Sequence, residues 1–343
     1  MARTYGVGVY GIGWAAGAHI TALLSNPKLR VAALGSRNRA SAQKKKDEHR
    51  LADCVVVNTF EEMLKRSDVD IVDICTPNAL HAEEVIAAAA AGKHLIIEKP
   101  IAMNLRELKA VRDAVVKAGV KSQACLESRW NPHVQNLRAM IAKGGIGRPF
   151  YTQVDYYHEI GDWWHGYTWG CNTRTGGPSA TLVASCHAVD LMRYFGGEIS
   201  EVMAYGCKGH RKDYEYDPTY AAIVKFENGT IGKTGTSFEV ESPYVMNIVL
   251  HGPSGSVYNE RFFTKEWFAG QAGWQTFNTV FLESGDVKHH PYKGMIDEFV
   301  DSLDANRECE NNIHSAYRSH EVCLAIDRSL DTGRSVSLPL QDA

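Results

Sequence analysis

No pair among the eight cysteines (positions 54, 75, 125, 171, 186, 207, 309 and 323) has C-x-x-C spacing. That absence argues against zinc ribbons, disulfide frameworks and thioredoxin-like redox motifs, and no metal site is expected. Scattered thiols, several inside apolar runs, suit a reduced cytoplasmic protein. No uncharged apolar stretch approaches the ~18 to 20 residues of a membrane span. The chain opens on a strand-like run where a signal peptide would carry a charged and then an apolar region. Positive charge is not in excess either: 37 Lys and Arg against 40 Asp and Glu leave a formal charge of −3, so nucleic acid is not an expected partner. Repeats and low-complexity segments are also missing. The sequon at Asn228-Gly-Thr reads as a hairpin turn.

At 343 residues the chain exceeds the size at which one core keeps growing, so two domains are expected. Short apolar runs at 6–10, 30–34, 54–57, 71–75, 95–97 and 120–126 alternate with helical patterns such as 81–91 and 105–117. This order predicts a parallel, doubly wound α/β sheet over residues 1–126. Beyond it the rhythm changes. Longer alternating runs (FYTQVDYY, TYAAIVKF, VMNIVLHG) and the turn signals ENGT and GPSG predict an α+β domain over 127–343 with a large, mostly antiparallel sheet. Helices near 181–195, 293–305 and 315–331 are expected to cover one face of that sheet.

Gly11-x-Gly13-x-x-Ala16 follows the first strand and opens a helix, the order of a dinucleotide-binding turn. The first glycine makes the turn and the second admits the pyrophosphate. The small third residue packs the helix, and N–H groups around Trp14, Ala15 and Ala16 face the phosphates. NAD-selective sites carry an acidic residue about 20 residues further on, whereas an arginine accommodates a 2′-phosphate. Here the second strand ends Leu34-Gly35-Ser36-Arg37 without a carboxylate. Ser36 and Arg37 therefore favour NADP(H), with NAD(H) possible if Arg37 only overlies the adenine. Thr76-Pro77-Asn78 ends the fourth strand, with His81 following on the next helix, in reach of a ribose and nicotinamide. Glu98-Lys99-Pro100 ends the fifth, placing an ionisable amine at the carboxyl edge where open α/β sheets bind ligands.

These segments, with GGxxxxxxxxCHxxD at 176–190, resemble the glucose-fructose oxidoreductase and inositol dehydrogenase (Gfo/Idh/MocA) family. The resemblance runs from the first strand to SVSLPL near the end. It implies a Rossmann domain joined to an open-faced sheet domain, pyridine-nucleotide chemistry on sugars, cyclitols or related polyols, and a homodimer or homotetramer associating through the open sheet face. It also implies Lys99 as the group exchanging the hydroxyl proton, with His187 facing the substrate beside it. Glu98 and Lys99 would also border the cofactor. Many members carry an aspartate four residues before that histidine. This chain has Val183, which leaves Asp190 as a possible orienter of His187.

The segment 155–177, DYYHEIGDWWHGYTWGCNTRTGG, is dense in aromatic and hydrogen-bonding side chains suited to sugar C–H faces and hydroxyls. His158, Trp164, His165, Asn172 and Arg174 are candidate substrate contacts, with Tyr292 a further one. The expected activity is that of an NAD(P)-dependent sugar or polyol dehydrogenase or reductase. The alternatives are redox-assisted glycoside cleavage or elimination with a retained nucleotide, and a non-catalytic nucleotide sensor on the same fold.

Overall fold

A computed structural model describes residues 3–164, 166–279 and 290–341, which group into two compact units. The first holds residues 1–127 and 291–317, the second residues 128–290 and 318–343.

In the first unit β1 (Tyr5–Tyr10), α1 (Ala16–Leu24), β2 (Leu29–Gly35), α2 (Arg39–Glu48), β3 (Val55–Val57), α3 (Phe60–Leu64) and β4 (Ile71–Ile74) alternate. They continue through α4 (His81–Ala90), β5 (His94–Ile97), α5 (Leu105–Ala118) and β6 (Ser122–Ala124). The six strands pair in parallel in the order β3-β2-β1-β4-β5-β6. Helices on both faces explain why β1 and β4 are buried at every position. The strand order reverses between β1 and β4, so the turns after these two strands flank the crevice where such sheets take ligands. Local signals agree with the assignment. Asn104 caps α5 by accepting the Glu107 N–H at 3.0 Å, the Glu107 carboxylate accepts the Met103 N–H, and Gly119 closes the helix at φ +67.

The second unit begins with α6 (Pro132–Ala142), β7 (Tyr151–Tyr157), α7 (Tyr167–Gly170), α8 (Cys186–Gly196), β8 (Ile199–Cys207), β9 (Thr219–Phe226) and β10 (Ile231–Ser237). It continues with β11 (Val245–Gly252), β12 (Gly255–Tyr258), β13 (Arg261–Thr264) and β14 (Gln275–Thr276). The chain then adds α9 (Tyr292–Asp304), α10 (Ile313–Thr332) and β15 (Val336–Ser337). Among the described residues its nine strands run β14-β13-β12-β11-β7-β10-β9-β8-β15, antiparallel except for the β7–β10 pair. Along β9, Tyr220, Ala222, Val224 and Phe226 are buried, whereas Ala221, Ile223 and Lys225 are exposed. Helix α8 packs on β7 and β10, and the Tyr220 hydroxyl lies 2.6 Å from Ser185 Oγ on that side. The opposite face presents Tyr205, Ile223 and Ile231.

Two expectations need correcting. Helix α9 does not cover the large sheet: it packs on α1 and belongs to the first unit, as do residues through Tyr317 in α10. A linear division at 126 misses this because the chain returns to the first unit after a long excursion. The helix expected at 181–195 is also two elements, a π-helical stretch at Thr181–Ser185 followed by α8.

Candidate functional site

The turn after β1 shows why two of its residues are glycines. Gly11 has φ +97, and a Cβ there would lie 2.4 Å from the backbone of Cys75 and Thr76. Only glycine lets β1 and β4 come this close. A Cβ on Gly13 would meet only the Cys75 carbonyl oxygen at 3.9 Å and otherwise points into open space. Helix α1 starts behind it with no acidic residue in its first turn and no side-chain cap at Ala15, and Trp14 is exposed. Open space in front of uncapped helix-start N–H groups fits a pyrophosphate.

At the end of β2, Ser36 Oγ accepts the Asn38 N–H at 3.2 Å. Asn38 caps α2 through the N–H groups of Ala40 and Ser41. Arg37 is exposed and makes no hydrogen bond or ion pair among the described residues. A guanidinium at a strand end without a carboxylate fits a 2′-phosphate. After β4, the Thr76 hydroxyl donates to Glu84 Oε2 at 2.5 Å, and burial pushes the Glu84 carboxyl up to about 7. Asn78 begins a short 3-10 turn after Pro77. His81, expected to contact cofactor, is fully buried, with Nδ1 2.7 Å from the Pro100 carbonyl oxygen and Nε2 2.8 Å from that of Thr76. Its ring is a brace between the ends of β4 and β5 with no nitrogen left over for a nucleotide. Burial lowers its pKa, yet two carbonyl partners are best served by two N–H donors.

Lys99 follows β5, half-buried, and its backbone N–H donates to Glu98 Oε2 at 3.0 Å. Glu98 Oε1 lies 3.0 Å from His19 Nε2 and accepts the Tyr292 hydroxyl at 3.2 Å. Tyr292, read from sequence as a substrate contact, is instead buried beside His19, with ring centroids 4.5 Å apart. His19 Nδ1 lies 3.0 Å from both oxygens of Asp73. Burial is the largest single influence and lowers the His19 pKa, but the Asp73 carboxylate together with the neighbouring Cys75 and Cys125 holds the ring well above the ordinary imidazole value. Burial likewise works against the Glu98 carboxylate, and the hydrogen bond and charge of His19 together with the charge of Lys99 bring it below the usual range. The groups His19/Asp73/Cys75 and His19/Glu98/Cys125 have the composition of metal ligands. Hydrogen bonds to carboxylates already account for both ring nitrogens.

His19 and Asp73 were not singled out in the sequence. The signal was there: a carboxylate within the core strand IVDI requires a partner, and His19 interrupts the apolar face of α1.

In the second unit, His187 is buried in α8, its ring meeting His290 edge-on at 6.2 Å. Asp190 does not orient it. Its carboxylate accepts Arg129 Nε at 2.7 Å and Nη2 at 2.6 Å, and the Ser319 hydroxyl at 2.6 Å. Burial pushes the Asp190 carboxyl up, and Arg129, Arg193 and the Ser319 hydroxyl together more than offset it, leaving it below the usual carboxylate range. Val183 lines a small hollow with Ile160, Trp164, Tyr167, Tyr214, Tyr216 and Phe238. The π-helical turn inserts an extra residue, so the position one turn before His187 is Leu182 or Val183. Both are buried and apolar, and neither supplies a carboxylate partner.

In the aromatic segment, His158 packs against Tyr244 and lies 3.2 Å from the Tyr156 hydroxyl, and burial lowers its pKa to about 4. Trp164 packs edge-on against Trp169, and a Cβ on Gly166 or Gly170 would strike its ring. Asn172 is a loop brace: Oδ1 accepts the N–H groups of Arg174 and Thr175, and Nδ2 donates to Glu215 at 3.0 Å. Arg174 is exposed. His165 lies outside the described residues.

Residues 5–125 match the model of the oxidoreductase family with an NAD-binding Rossmann fold, and residues 134–258 match the GFO/IDH/MocA C-terminal domain. The chain belongs to this oxidoreductase family. It is 30% identical over 262 residues to levoglucosan dehydrogenase of Pseudarthrobacter phenanthrenivorans, an alignment covering 68% of this chain and 66% of that protein. It is 24% identical to the uncharacterized oxidoreductase YrbE of Bacillus subtilis over 98% of both chains. A solved levoglucosan dehydrogenase in complex with NADH and L-sorbose superposes with a TM-score of 0.86 at 22% identity, covering 98% of this chain and all of that one.

Proposed function

We propose that this chain interconverts a hydroxyl and a ketone on a sugar, cyclitol or related polyol, using a nicotinamide nucleotide. The observation that carries the proposal is the placement of Lys99. It is half-buried at the carboxyl edge of β5, on the same sheet edge as the Gly11 and Gly13 turn, with its backbone N–H gripped by Glu98. When bound, the nucleotide accepts or supplies hydride. Lys99 Nζ takes the hydroxyl proton in oxidation and returns it in reduction. His187 binds the substrate oxygen, a role carried over from the family motif. Its contribution is smaller than that of the lysine, which itself exchanges the proton. Sugar recognition is assigned to His158, Trp164 and Arg174. Relatives named for levoglucosan and inositol support this substrate class. The scattered and mostly buried cysteines support a cytoplasmic setting. The test is turnover of the purified full chain with NADP and with NAD across a sugar and polyol panel. Net nucleotide reduction on at least one polyol is expected, and none on any member would contradict the proposal.

For the nucleotide, the proposal is NADP(H) through Ser36 and Arg37. Arg37→Ala should weaken NADP(H) about tenfold to a hundredfold, the worth of a charge-assisted hydrogen bond, and leave NAD(H) within about twofold. Isothermal titration with both nucleotides checks this. Equal losses would remove the phosphate role.

Self-association is proposed through the uncovered face of the large sheet, where Ile223 sits mid-strand between Met203 and Lys233. Ile223 is 62% exposed and Tyr205 71%, an apolar exposure that a partner surface would cover. Ile223→Asp should shift sedimentation toward a smaller species, whereas an unchanged oligomer would place the contact elsewhere.

A further inference from the structure

Behind Lys99, buried polar groups link four elements of the first unit: Asp73 in β4, His19 in α1, Glu98 after β5 and Tyr292 in α9. We propose that Asp73, His19, Glu98 and Tyr292 form a positioning relay that fixes the backbone of Lys99 and sets the charge its amine experiences. The proposal rests on the reading of Lys99 as the proton-exchanging group.

Both nitrogens of His19 face carboxylate oxygens at 3.0 Å, so both are donors and the ring is an imidazolium. Glu98 divides its oxygens: Oε1 receives His19 and Tyr292, and Oε2 receives the Lys99 N–H. A glutamate so held cannot rotate without breaking three hydrogen bonds, so the residue after it inherits a defined direction. Burying two carboxylates and an imidazolium is costly, and apolar side chains would pack the same space at no electrostatic cost. Stability alone does not explain the relay. Its terminus at Lys99 does.

Two carboxylates around one imidazolium leave a net negative charge beside the lysine. Burial keeps the neighbouring thiols neutral, raising Cys75 to about 12 and Cys125 well above its ordinary value. Glu127 and His81 are the other ionisable groups coupled to Glu98. The relay therefore makes an oppositely signed forecast for two substitutions. Removing the Glu98 charge favours the neutral amine at 99, and removing the His19 charge favours the ammonium.

The experiment follows Lys99 itself. Reductive ¹³C-methylation of the full chain gives lysine resonances, of which the one absent in Lys99→Arg reports residue 99. In Glu98→Gln this resonance should titrate at lower pH than in the wild type, as expected for loss of a nearby opposite charge. In His19→Gln it should titrate higher. An unmoved resonance in folded Glu98→Gln overturns the proposal whatever the activity, and movement of both variants in one direction also does. Tyr292→Phe, which removes only a hydroxyl, should lower kcat about threefold to tenfold on the best polyol, with KM for nucleotide unchanged. Unchanged kcat in that variant overturns the positioning role of Tyr292. If the wild type turns over no polyol, the titration arm still decides on the relay, while the proposed activity alone fails.

Discussion

Lys99→Ala is expected to cut turnover by about 10² to 10⁴, the usual loss for a positioned acid or base, while nucleotide affinity and melting temperature stay near those of the wild type. The side chain is half-buried at the end of β5, and the grip of Glu98 is on the backbone N–H, which alanine retains. Arginine should not rescue the loss, because a guanidinium keeps its proton at any working pH. His187→Ala should lower turnover less. In the proposed chemistry this histidine binds the substrate oxygen and does not itself exchange the hydroxyl proton. Steady-state kinetics at saturating substrate and nucleotide over pH 6 to 10 checks both variants. Near-normal turnover in Lys99→Ala would leave the family resemblance describing fold alone.

The second large effect is expected at the glycine turn, where neighbouring glycines should fail in different ways. Gly13→Val should abolish measurable nucleotide binding, a loss of at least about 10²-fold, with little change in stability. Its side chain enters the open space in front of α1, where the pyrophosphate would lie. Gly11→Val should instead damage the fold. Its Cβ would lie 2.4 Å from the Cys75 and Thr76 backbone, at a φ of +97 that a β-branched residue rarely adopts. Thermal melts and nucleotide titrations on both variants distinguish the cases. Binding retained in Gly13→Val would mean the phosphate cradle lies elsewhere.

Much of the first unit was legible because its signals are local. The continuous apolar run of β5 followed by Glu-Lys-Pro placed Lys99 at a strand's carboxyl edge, and the glycine spacing placed the turn after β1. What sequence did not reveal depends on contacts between distant segments. Arg129 and Asp190 are 61 positions apart, and Tyr292 and Glu98 are 194 apart. Tyr292 could be read as a ligand contact only because nothing in its own neighbourhood announces that α9 packs on α1. The π-helical turn was invisible for another reason: Thr181–Ser185 is buried throughout, so its apolar pattern carries no phase to separate α from π. His81 and Asn172 were read as ligand contacts by residue type. Their polar atoms are already used to brace the Thr76–Pro100 strand ends and the 172–175 turn.

The most direct test of hydride exchange between nucleotide and polyol is a stoichiometric one, in which nucleotide absorbance and carbohydrate product are followed in the same reaction. One reduced nucleotide is expected for each hydroxyl oxidised, in the wild type and not in Lys99→Ala. Product formed with no net change in the nucleotide would contradict it and point to an enzyme that oxidises and re-reduces its substrate around a retained cofactor.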